Sequence, residues 1–198
     1  MHAIKLVILG RDGILNEYRE DHVKSPLEWV PVPGALEAVS RLNHAGWHAV
    51  VATNQAGIGR GMIDMSSINA IHAHMNRRLM EQGGRIDAVF FCPHTPEEHC
   101  DCRKPLPGML LDIAHRYGAD LATVPMVSDT LRDLQAAQAA GCEPHLVLSG
   151  RAAGMDPATI ARCLEQVPRT QVHASLAEFA DRLLRRGHAD DSVLGELL

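Results

Sequence analysis

The sequence predicts one α/β domain of Rossmann-like type, with a mostly parallel sheet and helices on both faces. Short apolar runs alternate about five times with amphipathic stretches, which is the pattern of repeated strand–helix units. The apolar runs are continuous, as expected for parallel strands that are buried on both faces. A length of 198 residues suits a single domain with a sizeable core.

The predicted strands are the runs 5–9, 48–52, 86–91, 124–127 and 146–148. The amphipathic stretches between and after them predict helices over 35–45, 66–82, 109–117, 131–140, 157–166 and 176–184. We therefore expect a single domain over residues 1–184. The segment 185–198 is polar and then mildly apolar, and we expect a C-terminal tail whose placement the sequence leaves open.

Charge and hydropathy exclude several classes of function. The net charge is −5, with acidic and basic residues interspersed, so a concentrated basic surface for nucleic acid is not expected. No apolar run approaches the about 18 residues that a membrane span requires. The start at Met1 leads directly into a strand without a signal-peptide pattern. We expect a cytoplasmic monomer with a small-molecule substrate and neither a nucleic-acid nor a membrane partner.

Polar residues follow four of the predicted strands, where open α/β sheets bind their ligands. The segments are 10–16 (GRDGILN), 53–61 (TNQAGIGRG), a cysteine cluster that leads into 103–105 (RKP), and 128–133 (SDTLRD). Because the carboxyl ends of parallel strands meet at one edge of the sheet, we expect these segments to lie together.

Each segment alone has an ordinary structural explanation. Asp12 and Gly13 could form a turn, and Thr53 could cap a helix. Asp129 and Asp133 could complement the N-terminus of a helix. All four segments follow predicted strands, and they occur in one order along the chain. Coincidence is therefore a poor explanation.

Together the four segments resemble the haloacid dehalogenase superfamily of phosphohydrolases, over roughly residues 4–150. That superfamily carries an Asp-x-Asp-Gly motif, a Thr or Ser, a Lys and an acidic motif in this order. Cys-Pro-His at 92–94, followed by Cys-x-Cys-Arg-Lys-Pro-x-Pro-Gly-Met at 100–109, is similar to phosphatases of D-glycero-D-manno-heptose 1,7-bisphosphate. Histidinol-phosphate phosphatases share much of this pattern.

The resemblance implies a magnesium-dependent phosphomonoesterase. It places Mg²⁺ on the Asp129 carboxylate and the Asp12 backbone carbonyl, a hard-oxygen ligand set. It makes Asp12 the general acid/base, with Thr53 and Lys104 on the transferred phosphate. It further assigns substrate contacts to Arg11, Tyr18, Asp21, Asn54, Gln55, Arg103 and Thr130.

Three of the five cysteines fall within eleven residues, which favours a metal site over disulfides in a reducing compartment. Cys92, His94, Cys100 and Cys102 form two close pairs and suit a tetrahedral structural zinc. The spacing is not that of a zinc finger, so the similar phosphatases support this assignment. His99 could compete with Cys100, but Cys100 preserves the Cys-x-Cys pair. We call residues 92–102 the zinc loop.

Gly10 departs from the superfamily pattern. The resemblance places there the aspartate that attacks phosphorus and also binds Mg²⁺, and glycine supplies neither function. Ser128 is a milder departure, since the pattern usually has glycine before the acidic residue. We expect Gly10 to end its strand at an open, solvated position.

Other features are expected to be structural. His72 and His74 should be solvated on one helix, and Cys142 and Cys163 should be small buried residues. The glycines at 57, 59 and 61 lack dinucleotide-motif spacing and suggest a flexible substrate loop. Gly10 and Ala52 are only 42 positions apart, so no large cap domain is expected there and selectivity should come from short loops.

The function that the resemblance implies is hydrolysis of heptose 1,7-bisphosphate at the 7-phosphate. This step would serve the synthesis of ADP- or GDP-heptose for lipopolysaccharide or another surface polysaccharide, with activity impaired by Gly10. Two alternatives stay open: a histidinol-phosphate phosphatase, and a catalytically dead relative that binds phosphate or a partner protein.

Overall fold

The computed structural model describes residues 4–195, with side chains through residue 187. Its centre is a six-stranded parallel sheet in the order β3-β2-β1-β4-β5-β6. The strands are Leu6–Leu9 (β1), His48–Asn54 (β2), Ala88–Cys92 (β3), Pro125–Ser128 (β4), Glu143–Val147 (β5) and Gln171–His173 (β6). The strand order changes direction between β1 and β4, which creates the crevice where such sheets bind ligands. The predicted fold class is confirmed.

Seven α-helices connect and cover the strands of the described chain. They are Ala35–His44 (α1), Ala56–Gly59 (α2), Met65–Glu81 (α3), Gly108–Tyr117 (α4), Leu131–Ala140 (α5), Pro157–Gln166 (α6) and Leu176–Gly195 (α7). The first five predicted helices agree with α1, α3, α4, α5 and α6 to within one residue at each end. Helix α7 continues eleven residues beyond the predicted end at 184, so the proposed start of a tail at 185 falls inside a helix.

The strands at one edge of the sheet are where the sequence analysis was wrong. Strand β5 begins at Glu143, three residues before the prediction, and β6 was missed. Pro144 and His145 interrupt the apolar pattern of β5, yet both are buried. Strand β6 has only three residues and pairs on one side, so it carries little apolar signal.

The two faces of the sheet form separate cores. Alternate residues of β1 point to opposite faces. Val7 and Leu9 pack with α1, α3 and α7, whereas Leu6 and Ile8 pack with α4 and α5. All four are at most 1% exposed, and burying each contributes about 1.5–3 kcal/mol. This burial anchors β1 at the middle of the sheet, and the residues after Leu9 emerge in the crevice.

No helix among the described residues is long and apolar enough to cross a membrane.

Candidate active site

The structure brings the four polar segments together at the carboxyl edge of the sheet. They line one small cleft, which we call the reaction cleft, formed by Gly10, Arg11, Asp12, Thr53, Asn54, Lys104, Arg132, Asp133 and Arg151. Residues from the ends of β1 and β2, from the segment after the zinc loop, and from the first turn of α5 thus face a common space.

Asp12 is held by a buried network. The Arg11 guanidinium donates from Nε and Nη2 to the Asp12 carboxylate at 2.9–3.1 Å, and Asn16 and Gln55 each donate at 3.0 Å. Burial raises the pKa of Asp12, but the Arg11 charge and these hydrogen bonds outweigh it and hold the pKa below its usual value. Asp12 is therefore a carboxylate at neutral pH.

Arg11 was expected to contact the substrate, but its side chain is turned away from the cleft. The residue is 1% exposed, and its Nη1 lies 3.2 Å from Nε2 of His72. A substrate contact would therefore fall to the Arg11 backbone. His72, expected in solvent, is buried, and burial together with Arg11 lowers its pKa to about 4. Neutral His72 can thus accept a hydrogen bond from the guanidinium.

The end of β2 supplies a hydroxyl group and two amides. Gln55 is fully buried and donates from Nε2 to Thr53 Oγ1 at 2.9 Å. Because the Thr53 oxygen accepts this bond, its own proton is free for an oxygen in the cleft. The Asn54 side chain bonds the backbone O and N of Lys104 at 3.0 and 3.2 Å. Asn54 therefore fixes the segment that carries Lys104.

Lys104 reaches the cleft from a buried position. Its Nζ donates to the Ala52 carbonyl at 2.7 Å and to Asp133 Oδ2 at 2.6 Å. Ser128 donates to the same Asp133 oxygen at 2.7 Å, which gives this departure from the pattern a structural role. An ammonium has three donors, so one remains for a ligand.

Asp129 lies enclosed at the end of β4. It is 2% exposed, and its Oδ2 accepts from the Arg151 backbone N at 2.7 Å. A methyl group at Gly13 or Gly150 would overlap the carboxylate, and both glycines have positive φ. Burial raises the pKa of Asp129 to about 6 despite the Arg151 contacts. An enclosed carboxylate of this kind fits a bound cation.

Gly10 lies between these groups and is buried, not solvated as expected. Its backbone N donates to the Val127 carbonyl at 2.9 Å, which extends the pairing of β1 with β4. A Cβ added here would lie 3.3 Å from Ile14 Cγ1 and 3.6 Å from both Ser128 Oγ and Val127 O. A side chain at this position therefore needs only a small shift of Ile14.

The remaining predicted contacts are distributed around the cleft. Tyr18 packs under Arg151, whose Cζ lies 3.8 Å from the ring centroid. Asp21 is exposed and bonds Lys24 and Arg19, away from the residues that line the cleft. Thr130 caps α5 by accepting from the backbone N of Asp133. Arg103 donates to the His94 carbonyl at 3.2 Å, which links it to the zinc loop.

The zinc loop brings its four predicted ligands to one point. Their ligand atoms lie within 4.8 Å of one another, and the Sγ atoms of Cys92 and Cys102 each lie 3.5 Å from that of Cys100. His94 Nδ1 lies 3.6 and 3.4 Å from the Cys92 and Cys102 sulfurs. A tetrahedral zinc with bonds of about 2.0–2.3 Å needs ligand separations near these values. His99 is exposed.

Two arginines of the cleft were missed. Arg132 follows Thr130 in the fourth segment, and Arg151 follows β5. Arg151 could have been found by extending the strand-end search to the fifth predicted strand. Arg132 is not part of the superfamily pattern, and nothing in the sequence separates it from a solvated residue of a helix.

Comparison with known proteins supports the same assignment. The family model described as "HAD-hyrolase-like" matches residues 101–179. The D-glycero-beta-D-manno-heptose-1,7-bisphosphate 7-phosphatase of Bordetella bronchiseptica is 56% identical over 147 residues, covering 74% of this chain and 82% of that protein. The protein of the same name from Neisseria meningitidis serogroup A is 42% identical over 187 residues, with coverage of 94% and 98%.

A solved structure agrees closely with the fold. The B. bronchiseptica D,D-heptose 1,7-bisphosphate phosphatase, crystallised with magnesium and phosphate, superposes with a TM-score of 0.84 at 50% identity. The match covers 92% of this chain and 99% of that one. The chain belongs to the heptose-1,7-bisphosphate 7-phosphatase family of the haloacid dehalogenase superfamily.

Proposed function

We propose that this chain is a magnesium-dependent phosphomonoesterase scaffold for the 7-phosphate of D-glycero-D-manno-heptose 1,7-bisphosphate. It would act as a cytoplasmic monomer of one domain in the synthesis of ADP- or GDP-heptose, with activity impaired by Gly10. The observation that carries the proposal is the convergence of Asp12, Thr53 and Lys104 on one cleft, with the enclosed carboxylate of Asp129 bonded to the backbone of Arg151, another lining residue.

The polar groups of the cleft suit a phosphoryl group. The Thr53 hydroxyl and one N–H of Lys104 remain available after their internal hydrogen bonds, so both can donate to phosphate oxygens. Asp129 and the Asp12 carbonyl would hold Mg²⁺, and when bound this ion supplies neutralisation of phosphate charge. Charge neutralisation and positioning are the main requirements of phosphoryl transfer.

Asp12 is suited to moving a proton near the leaving oxygen. The Arg11 charge keeps its pKa low in the unliganded site. Phosphate brings negative charge beside Asp12, which raises the pKa and favours uptake of the proton that a general acid must deliver. Gln55 bonds both Asp12 and Thr53, so one side chain orients the proton-transfer group and a phosphate-binding group.

Gly10 removes the step that begins the reaction. The position has neither a nucleophilic oxygen nor a carboxylate for the metal, so the covalent route of the superfamily cannot start. The hydrogen bonds that hold the Asp12 carboxylate and those that join Lys104 and Ser128 to Asp133 Oδ2 are nevertheless present. We infer that binding of phosphate compounds persists weakly while turnover is lost.

The zinc loop supports the site from outside the chemistry. Its four protein ligands would leave a tetrahedral zinc no open position, so a bound ion would be structural. The loop leads directly into Arg103 and Lys104, and Arg103 bonds back to His94. A bound zinc would therefore hold both cations over the cleft.

Substrate identity is tested by comparing phosphate release from heptose 1,7-bisphosphate and from histidinol phosphate by the Gly10→Asp form with Mg²⁺. We expect faster release from the bisphosphate. Much faster release from histidinol phosphate would instead favour the alternative of a histidinol-phosphate phosphatase. A folded, zinc-loaded Gly10→Asp form that releases phosphate from neither compound would support the alternative of a dead phosphate-binding relative.

A further inference from the structure

A second, larger cavity of about 460 Å³ adjoins the reaction cleft. We call it the side cavity, and its lining includes Arg103, Lys104, Pro105, Leu106 and Arg132. The prolyl and leucyl side chains offer an apolar surface for the C–H groups of a sugar, and the cations lie at the same wall.

Arg132 lies where the cavities meet. It lines the side cavity, the reaction cleft and a third small cavity that is bounded by Tyr18 and His22. A ligand that extends from the reaction cleft into the side cavity must therefore pass this side chain.

The guanidinium of Arg132 has hydrogen-bonding capacity to spare. Its Nε is buried without a hydrogen-bond partner among the described residues, and it lies 3.6 Å from Asp133 Oδ1, beyond hydrogen-bond distance. Lys104 binds the other oxygen of Asp133, Oδ2, at 2.6 Å, so the long ion pair through Oδ1 is the contact between Arg132 and this carboxylate. Arg103, in contrast, is bonded to the His94 carbonyl. A buried donor left unpaired costs free energy, so a ligand that pairs it binds more strongly.

We propose that Arg132 is a specificity-determining residue that binds the second, non-reacting phosphate of a bisphosphorylated sugar, beside Arg103. This inference rests on the proposed function. The reacting phosphate would occupy the cleft at Thr53 and Lys104, and the phosphate at the other end of the sugar would then reach Arg132 and Arg103, which both line the side cavity. A guanidinium pairs with phosphate through two parallel N–H donors, which Arg132 can supply because its ion pair with Asp133 is longer than a hydrogen bond.

The test is a binding experiment with the chain as it stands, since Gly10 prevents turnover during the titration. Heptose 1,7-bisphosphate and heptose 7-phosphate are titrated calorimetrically, with Mg²⁺ present, into the parent, Arg132→Met and Arg132→Lys. We expect Arg132→Met to raise the Kd of the bisphosphate about tenfold or more, because a charge-assisted hydrogen-bond pair is lost. The Kd of the 7-phosphate should change less than about twofold, and Arg132→Lys should recover part of the bisphosphate affinity.

The matched control is Arg169→Met, which removes an exposed guanidinium just before β6. This residue lies at the amino ends of the strands, whereas the cleft lies at their carboxyl ends. Arg169→Met should leave both Kd values unchanged. Equal weakening of both ligands by Arg132→Met, or no weakening, would overturn the assignment of Arg132 alone if the parent still prefers the bisphosphate. A parent that binds neither compound would instead refute the proposed function together with this inference.

Discussion

Replacing Asp12 with alanine should destabilise the fold, although removal of active-site groups often increases stability. The cause is Arg11, which is 1% exposed and donates two of its nitrogens to the Asp12 carboxylate. Asp12→Ala leaves that buried charge facing His72, which is neutral. Breaking a buried ion pair on one side costs about 3–5 kcal/mol. The Asp12 side chain is 18% exposed. Water can therefore partly replace the carboxylate, and we expect the free energy of unfolding to fall by about 2–3 kcal/mol.

The assay is urea unfolding at pH 7, where Asp12 makes its full contribution to the free energy of unfolding. The folded pKa of Asp12 is depressed, so its contribution is present above the unfolded pKa of about 3.9 and is lost as the pH falls through the folded value. Asp21→Ala is the matched control, because it removes an exposed carboxylate from surface pairs and should change the free energy of unfolding far less. The double variant that carries both Asp12→Ala and Arg11→Met also lacks the buried guanidinium charge. It should therefore recover part of the lost free energy of unfolding. An Asp12→Ala protein as stable as the parent would show that the buried Arg11 guanidinium does not need the Asp12 carboxylate.

Two further predictions concern zinc and pH. Protein purified without added metal should contain about one zinc per chain, and chelation should unfold residues 90–106 in hydrogen exchange; a well-ordered loop without zinc would contradict the assignment. Burial lowers the pKa of His145 to about 3, so this histidine stays neutral in the fold while in the unfolded chain it takes up a proton below about pH 6.5. The contribution of His145 to the free energy of unfolding should therefore fall by about 1 kcal/mol between pH 7.5 and 5.5. His145→Gln should therefore make the free energy of unfolding depend less steeply on pH than in the parent; an equal pH dependence in the two proteins would exclude His145 as the cause.

The sequence predicts the convergence of the cleft because parallel topology places consecutive strand ends at one edge. Asp12 and Asp129 come shortly after β1 and β4, and Thr53 lies near the end of β2, so knowledge of the strands locates them. Lys104 follows the zinc loop, and its position depends on hydrogen bonds from Asn54 that no pattern shows.

The sequence could not predict which polar side chains turn inward. His72 lies on a helix with polar neighbours, and only the Arg11 side chain arriving from β1 makes it a buried acceptor. Arg11 was assigned to substrate for the same reason, since sequence order does not tell whether a guanidinium faces the cleft or the core. Position 10 looks open in sequence, yet the pairing of β1 with β4 buries it.

Magnesium-dependent phosphate release from heptose 1,7-bisphosphate should be compared between the parent and Gly10→Asp, at equal concentrations of folded, zinc-loaded protein. Loss of an essential nucleophile can cost on the order of 10⁶ in kcat, so the account predicts near-zero release by the parent and unmistakable rescue by Gly10→Asp. Gly10→Asn is the matched control, because it adds the same volume next to Ile14 without a nucleophilic carboxylate and should stay inactive. Release by the parent at ordinary enzyme rates, or an inactive Gly10→Asp that remains folded and zinc-loaded, would contradict the account.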